Sequence, residues 1–139
     1  MRWLSFAIVL LIAVSARAAS LEARLIRASN ESAKSDEQLK NLEAKLKKQF
    51  GYKHYLQLGF QKTTLEPDIN RRLDLGEGFV VFARERSVDK KTHELDVEWT
   101  SGRASLLKTT LKIAEKGSVF IKGPGVGNDW IILALSVLE

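Results

Sequence analysis

Few residues in this sequence have side chains suited to catalysis. The chain has two histidines, His54 and His93, and no cysteine. Ser87 is close to His93 in sequence, but no Gly-x-Ser-x-Gly motif marks a nucleophile, and no pair of histidines has the spacing of zinc ligands. The sequence therefore predicts no catalytic residue, no metal ligand and no cofactor. A binding protein is favoured over an enzyme, although enzymatic activity stays open because active sites are defined by geometry rather than spacing.

A glycine-rich stretch beside Lys122 is the second candidate, since such loops hold phosphate groups when they lead into a helix. The apolar run that follows, residues 130–138, is typical of a strand instead. We therefore expect a connection between the last two strands, in which Gly125 and Gly127 adopt backbone angles that favour glycine. Because loops often carry binding functions, the stretch is predicted as a candidate contact loop, made of Gly123, Pro124, Gly125, Gly127, Asn128 and Asp129.

Three carboxylates, Glu94, Asp96 and Glu98, alternate along one predicted strand face, about 7 Å apart in succession. A calcium site would need further oxygen ligands from elsewhere in the chain, and the sequence identifies none. We expect a solvated, charged face whose carboxylates are balanced by basic side chains from Lys108, Lys112, Arg84 or Arg86.

A basic surface is predicted on and just after a helix. Its lysines are at positions 40, 45, 47, 48 and 53, with Tyr52 and Tyr55 beside them. Such a pattern suits nucleic acid, but the export signal described next argues against nucleic acid as the partner. Anionic glycans or lipid headgroups would be the relevant anions, and a solvated helix face is the simpler interpretation.

The first 18 residues have the layout of a secretory signal peptide. Arg2 supplies positive charge, residues 3–14 form an apolar run, and Ala16 and Ala18 are the small residues of a cleavage site. We predict a signal peptide over residues 1–18 and a single β-rich domain over residues 19–139, located in the periplasm or outside the cell. The alternative is an uncleaved anchor, although a helix needs roughly 20 apolar residues to span a bilayer.

Composition agrees with an exported protein and says little about partners. The formal net charge is +5. Two of the 22 basic residues, Arg2 and Arg17, and none of the 17 acidic ones lie in the leader, so cleavage leaves +3. The absence of cysteine means that the domain folds without disulfides, which favours a bacterial envelope protein.

One helix is predicted over residues 36–50. Ser35 is the expected N-cap, with Gln38 three residues later as in a capping box. Leucines at positions 39, 42 and 46 and Phe50 form an apolar stripe at helical spacing. Gly51 is placed to end the helix in a left-handed conformation.

The rest of the chain predicts strands and turns. Alternating apolar residues mark strands such as 21–28, 55–60 and 93–100, and the apolar run 130–138 is typical of a strand buried on both faces. About eight strands are expected, with turns spaced as in sandwiches and barrels. The predicted fold is mainly β (α+β): an antiparallel β-sandwich or partly open barrel, with one amphipathic helix near the mature N-terminus.

The hairpin around Gly102 carries a specific expectation about register. Glu94, Asp96 and Glu98 should share a sheet face with Lys108 and Lys112. Like faces meet only if paired residue numbers have an even sum, because side chains alternate with a period of two. We therefore predict a three-residue or bulged turn.

Several strings together resemble a family of small exported bacterial β-rich domains of unknown function. They are ARLIRASN, the capped helix, KKQFGYKHYLQL, TTLKI and the terminal GPGVGNDWIILALSV. The resemblance covers most of the mature chain. It implies an exported β-rich domain and assigns no activity and no catalytic residue.

The favoured function is a non-enzymatic binding or envelope-assembly domain. Its expected partner is another envelope or secreted protein, contacted through a sheet edge or through the contact loop. Nucleic acid is not an expected partner, and no membrane span is expected after cleavage. The alternatives are a small extracytoplasmic enzyme or enzyme inhibitor, and a self-associating structural protein; the oligomeric state is left open.

Overall fold

The computed structural model describes residues 19–31 and 36–139. The predicted signal peptide, residues 1–18, and the predicted N-cap Ser35 lie outside these ranges. Eight strands and one helix form the described part of the chain. The strands are β1 (Ser20–Ser29), β2 (His54–Thr64), β3 (Asn70–Gly76), β4 (Phe79–Asp89), β5 (Thr92–Ser101), β6 (Ala104–Ala114), β7 (Ser118–Val126) and β8 (Asp129–Leu138), and helix α1 (Lys40–Phe50) follows a 3-10 turn (Glu37–Leu39).

The strands form two four-stranded antiparallel sheets. Sheet A has the order β2-β1-β8-β7, and sheet B has the order β3-β4-β5-β6. The chain passes from sheet A to sheet B between β2 and β3, and it returns between β6 and β7. Edge strands of the two sheets therefore lie next to each other on both sides of the sandwich. The predicted mainly-β sandwich with one helix is confirmed.

The core lies between the inner faces of the two sheets. Sheet A contributes side chains such as Leu25 and Leu133, and sheet B contributes Leu95, Val97 and Trp99. Strand β8 is buried on both faces, as its continuous apolar sequence predicts: Leu133 points into the sandwich, and the neighbouring Ile132 contacts the helix side.

The helix covers the outer face of sheet A. Leu39 and Leu46 are buried in a second apolar cluster, with Phe50 packed against it, so the predicted stripe is confirmed. The start of the helix differs from the prediction. Asp36 is the N-cap and accepts a hydrogen bond from the Gln38 N–H, and the first turn is 3-10 rather than α-helical. Gly51 ends the helix at φ 76°, as expected.

The register predicted around Gly102 is confirmed. Glu98 pairs with Lys108 and Trp99 pairs with Leu107, so charged and apolar residues occupy opposite faces of the β5–β6 hairpin. The loop has only two residues, Gly102 and Arg103. A register shift after Trp99 leaves Leu106 unpaired, and for this reason the numbers of paired residues from Thr92 to Trp99 still add up to an even sum. A bulge thus takes the place of a longer loop.

The glycine-rich stretch does connect the last two strands, but most of it is strand. β7 extends to Val126, so only Gly127 and Asn128 form the turn. Gly127 has a φ of 61°, as predicted. The prediction for Gly125 is wrong, since this residue has no positive φ and pairs with Trp130 inside the hairpin.

Candidate functional site

The predicted contact loop does not form one convergent surface. Gly123 faces the interior, where its backbone packs so closely on the Trp99 ring that a Cβ would overlap it. Pro124 lines a small cavity beside Gly123. Gly127 and Asn128 form the turn. A contact role for the whole loop stays a prediction.

Asp129 at the end of this loop is held by an ion pair. The Arg27 Nε donates to Asp129 Oδ2 at 2.7 Å. That hydrogen bond, together with one from Ser29 and the charge of Arg27, outweighs partial burial and lowers the pKa of the Asp129 carboxyl below its ordinary value. The carboxylate joins β8 to β1 rather than standing free for a ligand.

The row of carboxylates on β5 is balanced by cations, as predicted. Arg86 lies 3.6 Å from Glu94 and 3.7 Å from Asp96, and the Lys108 Nζ lies 3.9 Å from Glu98. Within residues 19–31 and 36–139, no group of three His, Asp or Glu side chains is arranged to hold a metal ion.

His93 belongs to a buried hydrogen-bonded cluster that the sequence analysis did not identify. Its Nδ1 lies 2.6 Å from Glu85 Oε2, and its Nε2 lies 3.1 Å from Glu115 Oε1. The imidazole ring therefore bridges the two carboxyl groups. Ser87, the nearest serine in sequence, is exposed and pairs with Glu94 instead.

This His93 cluster is a structural tie. His93 and Glu85 are almost fully buried, so a substrate has no access to them. Glu115 belongs to the turn between β6 and β7, and its backbone N–H donates to Lys91 O in the β4–β5 turn. The cluster therefore fastens these two turns together. His54 lies apart at the start of β2, and its Nδ1 has no hydrogen-bond partner in the described part of the chain.

Only one of the two tyrosines beside the basic helix, Tyr52 and Tyr55, is available to a ligand at the surface. Tyr55 is buried: its hydroxyl donates to Leu46 O at 3.0 Å and accepts from the Tyr52 N–H at 3.1 Å. Burial raises the pKa of the Tyr55 phenol above its ordinary value. Lys47 pairs with Glu43 one helical turn earlier. These contacts are those of a helix packed on a sheet.

The two sides of the sandwich differ in how closely the sheet edges approach. On the β2–β3 side the backbone of Gly59 lies against the Leu75 carbonyl, so tightly that a Cβ would overlap it. On the other side β6 and β7 make few contacts. The Glu115–Gly117 turn that connects them is hydrogen-bonded to β8, since the Lys116 N–H donates to Val137 O at 2.7 Å.

The gap between β6 and β7 is here named the seam. At its wide end lies a cavity of ≈ 220 Å³ lined by Trp99, Leu106, Leu107 and residues 121–124. Trp99 is buried, and its indole N–H has no hydrogen-bond acceptor among the described residues. In the described part of the chain β6 pairs only with β5, and β7 only with β8. The backbone groups along one side of each strand therefore face the seam.

The outer face of sheet B forms a second concave surface, here named the outer depression. It has a volume of ≈ 950 Å³. One row of paired residues across it is Arg72–Phe82–Glu98–Lys108, and the next is Asn70–Arg84–Asp96–Thr110. Phe82 is an exposed aromatic side chain in the midst of charged ones. Its position on this face follows from strand alternation.

Comparison of the chain with protein-family models, with curated proteins and with solved structures gives no match. Over residues 19–31 and 36–139, helices long and apolar enough to span a membrane do not occur.

Proposed function

We propose that this protein is an exported, non-enzymatic binding domain that takes up an extended segment of another envelope or secreted protein along the β6 edge. The observation that carries the proposal is the outer edge of β6, which pairs with no strand other than β5 in the described part of the chain. This strand has 11 residues, contains neither proline nor glycine, and faces the seam along its whole length. A long regular edge is a template for strand addition, because its unpaired N–H and C=O groups can accept another strand.

The two edges at the seam are not equivalent. β7 contains Pro124 and a register shift between Lys122 and Gly125, and both features disfavour pairing with a further strand. β6 contains no proline, and its only register shift lies near its start, at Leu106. Added strands are therefore expected to pair with β6 and to extend sheet B.

The cavity at the wide end of the seam provides side-chain recognition. A strand added to β6 would direct alternate side chains towards the sandwich interior, where Leu107 and Ile121 line the cavity. A side chain of Leu or Phe size would fill that space, and a polar acceptor beside it would satisfy the Trp99 N–H. The segment should therefore be extended, with an apolar residue at the position that meets Trp99.

Site-specific photocrosslinking tests this function. A photoreactive phenylalanine analogue is placed at Leu106, beside the seam, in the full-length protein expressed in the cells that make it. The matched control carries the analogue at Leu56 on β2; both side chains are exposed, at 37% and 52%. We expect an adduct from position 106 that maps by mass spectrometry to one extended segment of an exported protein. Equal yields and identical products from both positions would refute the proposal.

Proline substitution distinguishes backbone pairing from a side-chain contact. Of two adjacent residues on an antiparallel edge strand, one directs its N–H to the partner strand and the other directs it outward. The two variants are Thr109→Pro and Thr110→Pro. The variant that replaces the residue whose N–H points outward, away from β5, should unfold at nearly the wild-type denaturant concentration. That variant should lose the adduct at Leu106, because proline removes a donor and adds bulk at the edge. Retention of the adduct would rule out strand addition.

A further inference from the structure

We infer that the outer depression binds a neutral oligosaccharide. This site lies on the face of sheet B rather than on its edge, so its side chains differ from those that line the seam. Backbone groups in the middle of a sheet are used in the ladder, which leaves recognition to the side chains. The side chains available here are one exposed aromatic ring and seven polar or charged groups. The first row is Arg72, Phe82, Glu98 and Lys108, and the second row is Asn70, Arg84, Asp96 and Thr110.

Charge pairing on this face disfavours a ligand that binds mainly through negative charge. Arg84 lies 2.9 Å from Asp68, and Arg72 lies 3.9 Å from Asp74. Arg86 and Lys108 likewise lie within 4.0 Å of carboxylates on β5. An anionic ligand would have to displace these carboxylates or lie beside Asp96 and Glu98, where like charges repel.

A polyhydroxylated ligand avoids that conflict. Each hydroxyl is both a donor and an acceptor, so neighbouring hydroxyls can donate to a carboxylate and accept from a guanidinium without breaking their ion pair. The outer depression offers such mixed pairs along its length, as at Asp96, which accepts from Thr110 at 2.8 Å and faces Arg86. Sugar rings carry vicinal hydroxyls in this arrangement.

Phe82 supplies the apolar contact. It lies between Arg72 and Glu98 in its row, and 41% of its surface is exposed. Within a depression, an aromatic ring can serve as the apolar platform of a binding site, with a few polar groups around it that fix the ligand's orientation. The C–H face of a pyranose ring is a flat apolar surface that stacks on such a platform, while its equatorial hydroxyls reach the polar rows on either side.

The test is a titration of the purified protein with maltohexaose, cellohexaose and chitohexaose, followed by amide chemical shifts. Hexagalacturonate, which is anionic, serves as the comparison ligand. We expect at least one neutral oligosaccharide to shift resonances of strands β3 to β6, with saturation in the millimolar range or below. Binding of hexagalacturonate alone would overturn the inference, and so would the absence of shifts with all three neutral sugars.

Two alanine variants assign the site. Phe82→Ala should weaken binding about tenfold, the order expected when an aromatic stacking platform is removed. Phe60→Ala is the matched control, because Phe60 has 39% exposure but lies on β2 in sheet A, where Arg24 covers its ring at 4.5 Å. Equal losses in the two variants, or no loss in Phe82→Ala, would show that the sugar binds elsewhere. Thermal unfolding of both variants checks that the fold is retained.

Discussion

Replacing His93 with glutamine tests the role assigned to the His93 cluster. The side chains of His93 and Glu85 are exposed by only 4% and 3%, and Nδ1 lies 2.6 Å from Oε2. Removing one partner of a buried hydrogen bond leaves the other group unsatisfied, which costs about 1–3 kcal/mol, and more when that group is charged. His93 contacts two carboxyl groups and glutamine can replace only one of these hydrogen bonds, so we expect His93→Gln to lower the free energy of unfolding by about 3 kcal/mol.

Urea denaturation followed by tryptophan fluorescence measures this loss, because Trp99 lies in the same core. With a urea m-value of about 1–3 kcal/mol/M, the midpoint should fall by roughly 1–3 M. The m-value itself should not change, since the substitution removes an interaction and does not alter the surface exposed on unfolding.

Lys108→Gln is the control for His93→Gln. It breaks the Lys108–Glu98 contact at 3.9 Å, but the Lys108 side chain is 82% exposed, and such surface pairs contribute about 0–1 kcal/mol. The double variant Glu85→Gln/His93→Gln should be less destabilised than the sum of the two single variants, because both substitutions disrupt the same Glu85–His93 hydrogen bond, which can be lost only once. If His93→Gln unfolds within about 0.5 kcal/mol of the wild type, the cluster does not tie the two turns together.

Three further predictions concern the core and the ion pair at β8. Asp129 has a lowered pKa in the folded protein, so its carboxylate stabilises the fold above about pH 4. This contribution is lost as the pH falls through the pKa that Asp129 has in the folded state. The difference in the free energy of unfolding between the wild type and Asp129→Asn, measured by denaturation at a series of pH values, should therefore become smaller below about pH 4. Gly123→Ala forces a methyl group against Trp99 and should cost about 1–3 kcal/mol by thermal unfolding, whereas Gly125→Ala, where a Cβ meets Trp130 at no closer than 3.5 Å, should unfold near the wild-type temperature. Tyr55→Phe removes the hydroxyl that donates to Leu46 O and accepts from the Tyr52 N–H, so the free energy of unfolding in urea should fall by about 1–3 kcal/mol. In the wild type, the raised pKa of Tyr55 should delay its phenolate absorbance until the pH is above about 10.

The sequence predicted those features of the fold that repeat along the chain. The even register sum of the β5–β6 hairpin follows from alternation alone, and the unpaired Leu106 is the bulge needed to keep it. The double burial of β8 follows from an apolar run with no polar alternation. The apolar stripe of the helix follows from its period. Each of these is a local pattern that packing reinforces.

The sequence did not predict the contacts that depend on irregularities. Extending the register of β4 and β5 from the Glu85–Leu95 pair would place Ser87 opposite His93. A register shift between Glu85 and Ser87 instead pairs Ser87 with Glu94 and Val88 with His93. The alternating buried positions of β4 end at Glu85, and those of β5 begin at His93. The sequence could therefore have indicated that these two polar side chains lie on the inner face at the same end of sheet B. Glu115 joins them through a turn, which no periodic pattern could indicate.

The candidate sites were the least predictable part. The cavity at the seam is formed by residues far apart in sequence, Trp99 and Leu107 on one sheet and Ile121 on the other, which meet only when the two sheets pack together. The position of Phe82 on the charged face does follow from alternation with Glu98 and Lys108. Its role depends on the curvature of the sheet, which the sequence does not specify.

The seam and the outer depression share one strand. Lys108 and Thr110 of β6 contribute to the outer depression, while Leu107 lines the cavity at the seam. A strand added to the β6 edge would extend sheet B by one strand and add a further set of outward side chains to its outer face. The two proposed ligands would then be thermodynamically linked, because each would alter the other's affinity by the same factor. If an oligosaccharide raises the yield of the Leu106 adduct, the partner segment should raise the affinity of the protein for that oligosaccharide. If it lowers the yield, the partner segment should lower that affinity.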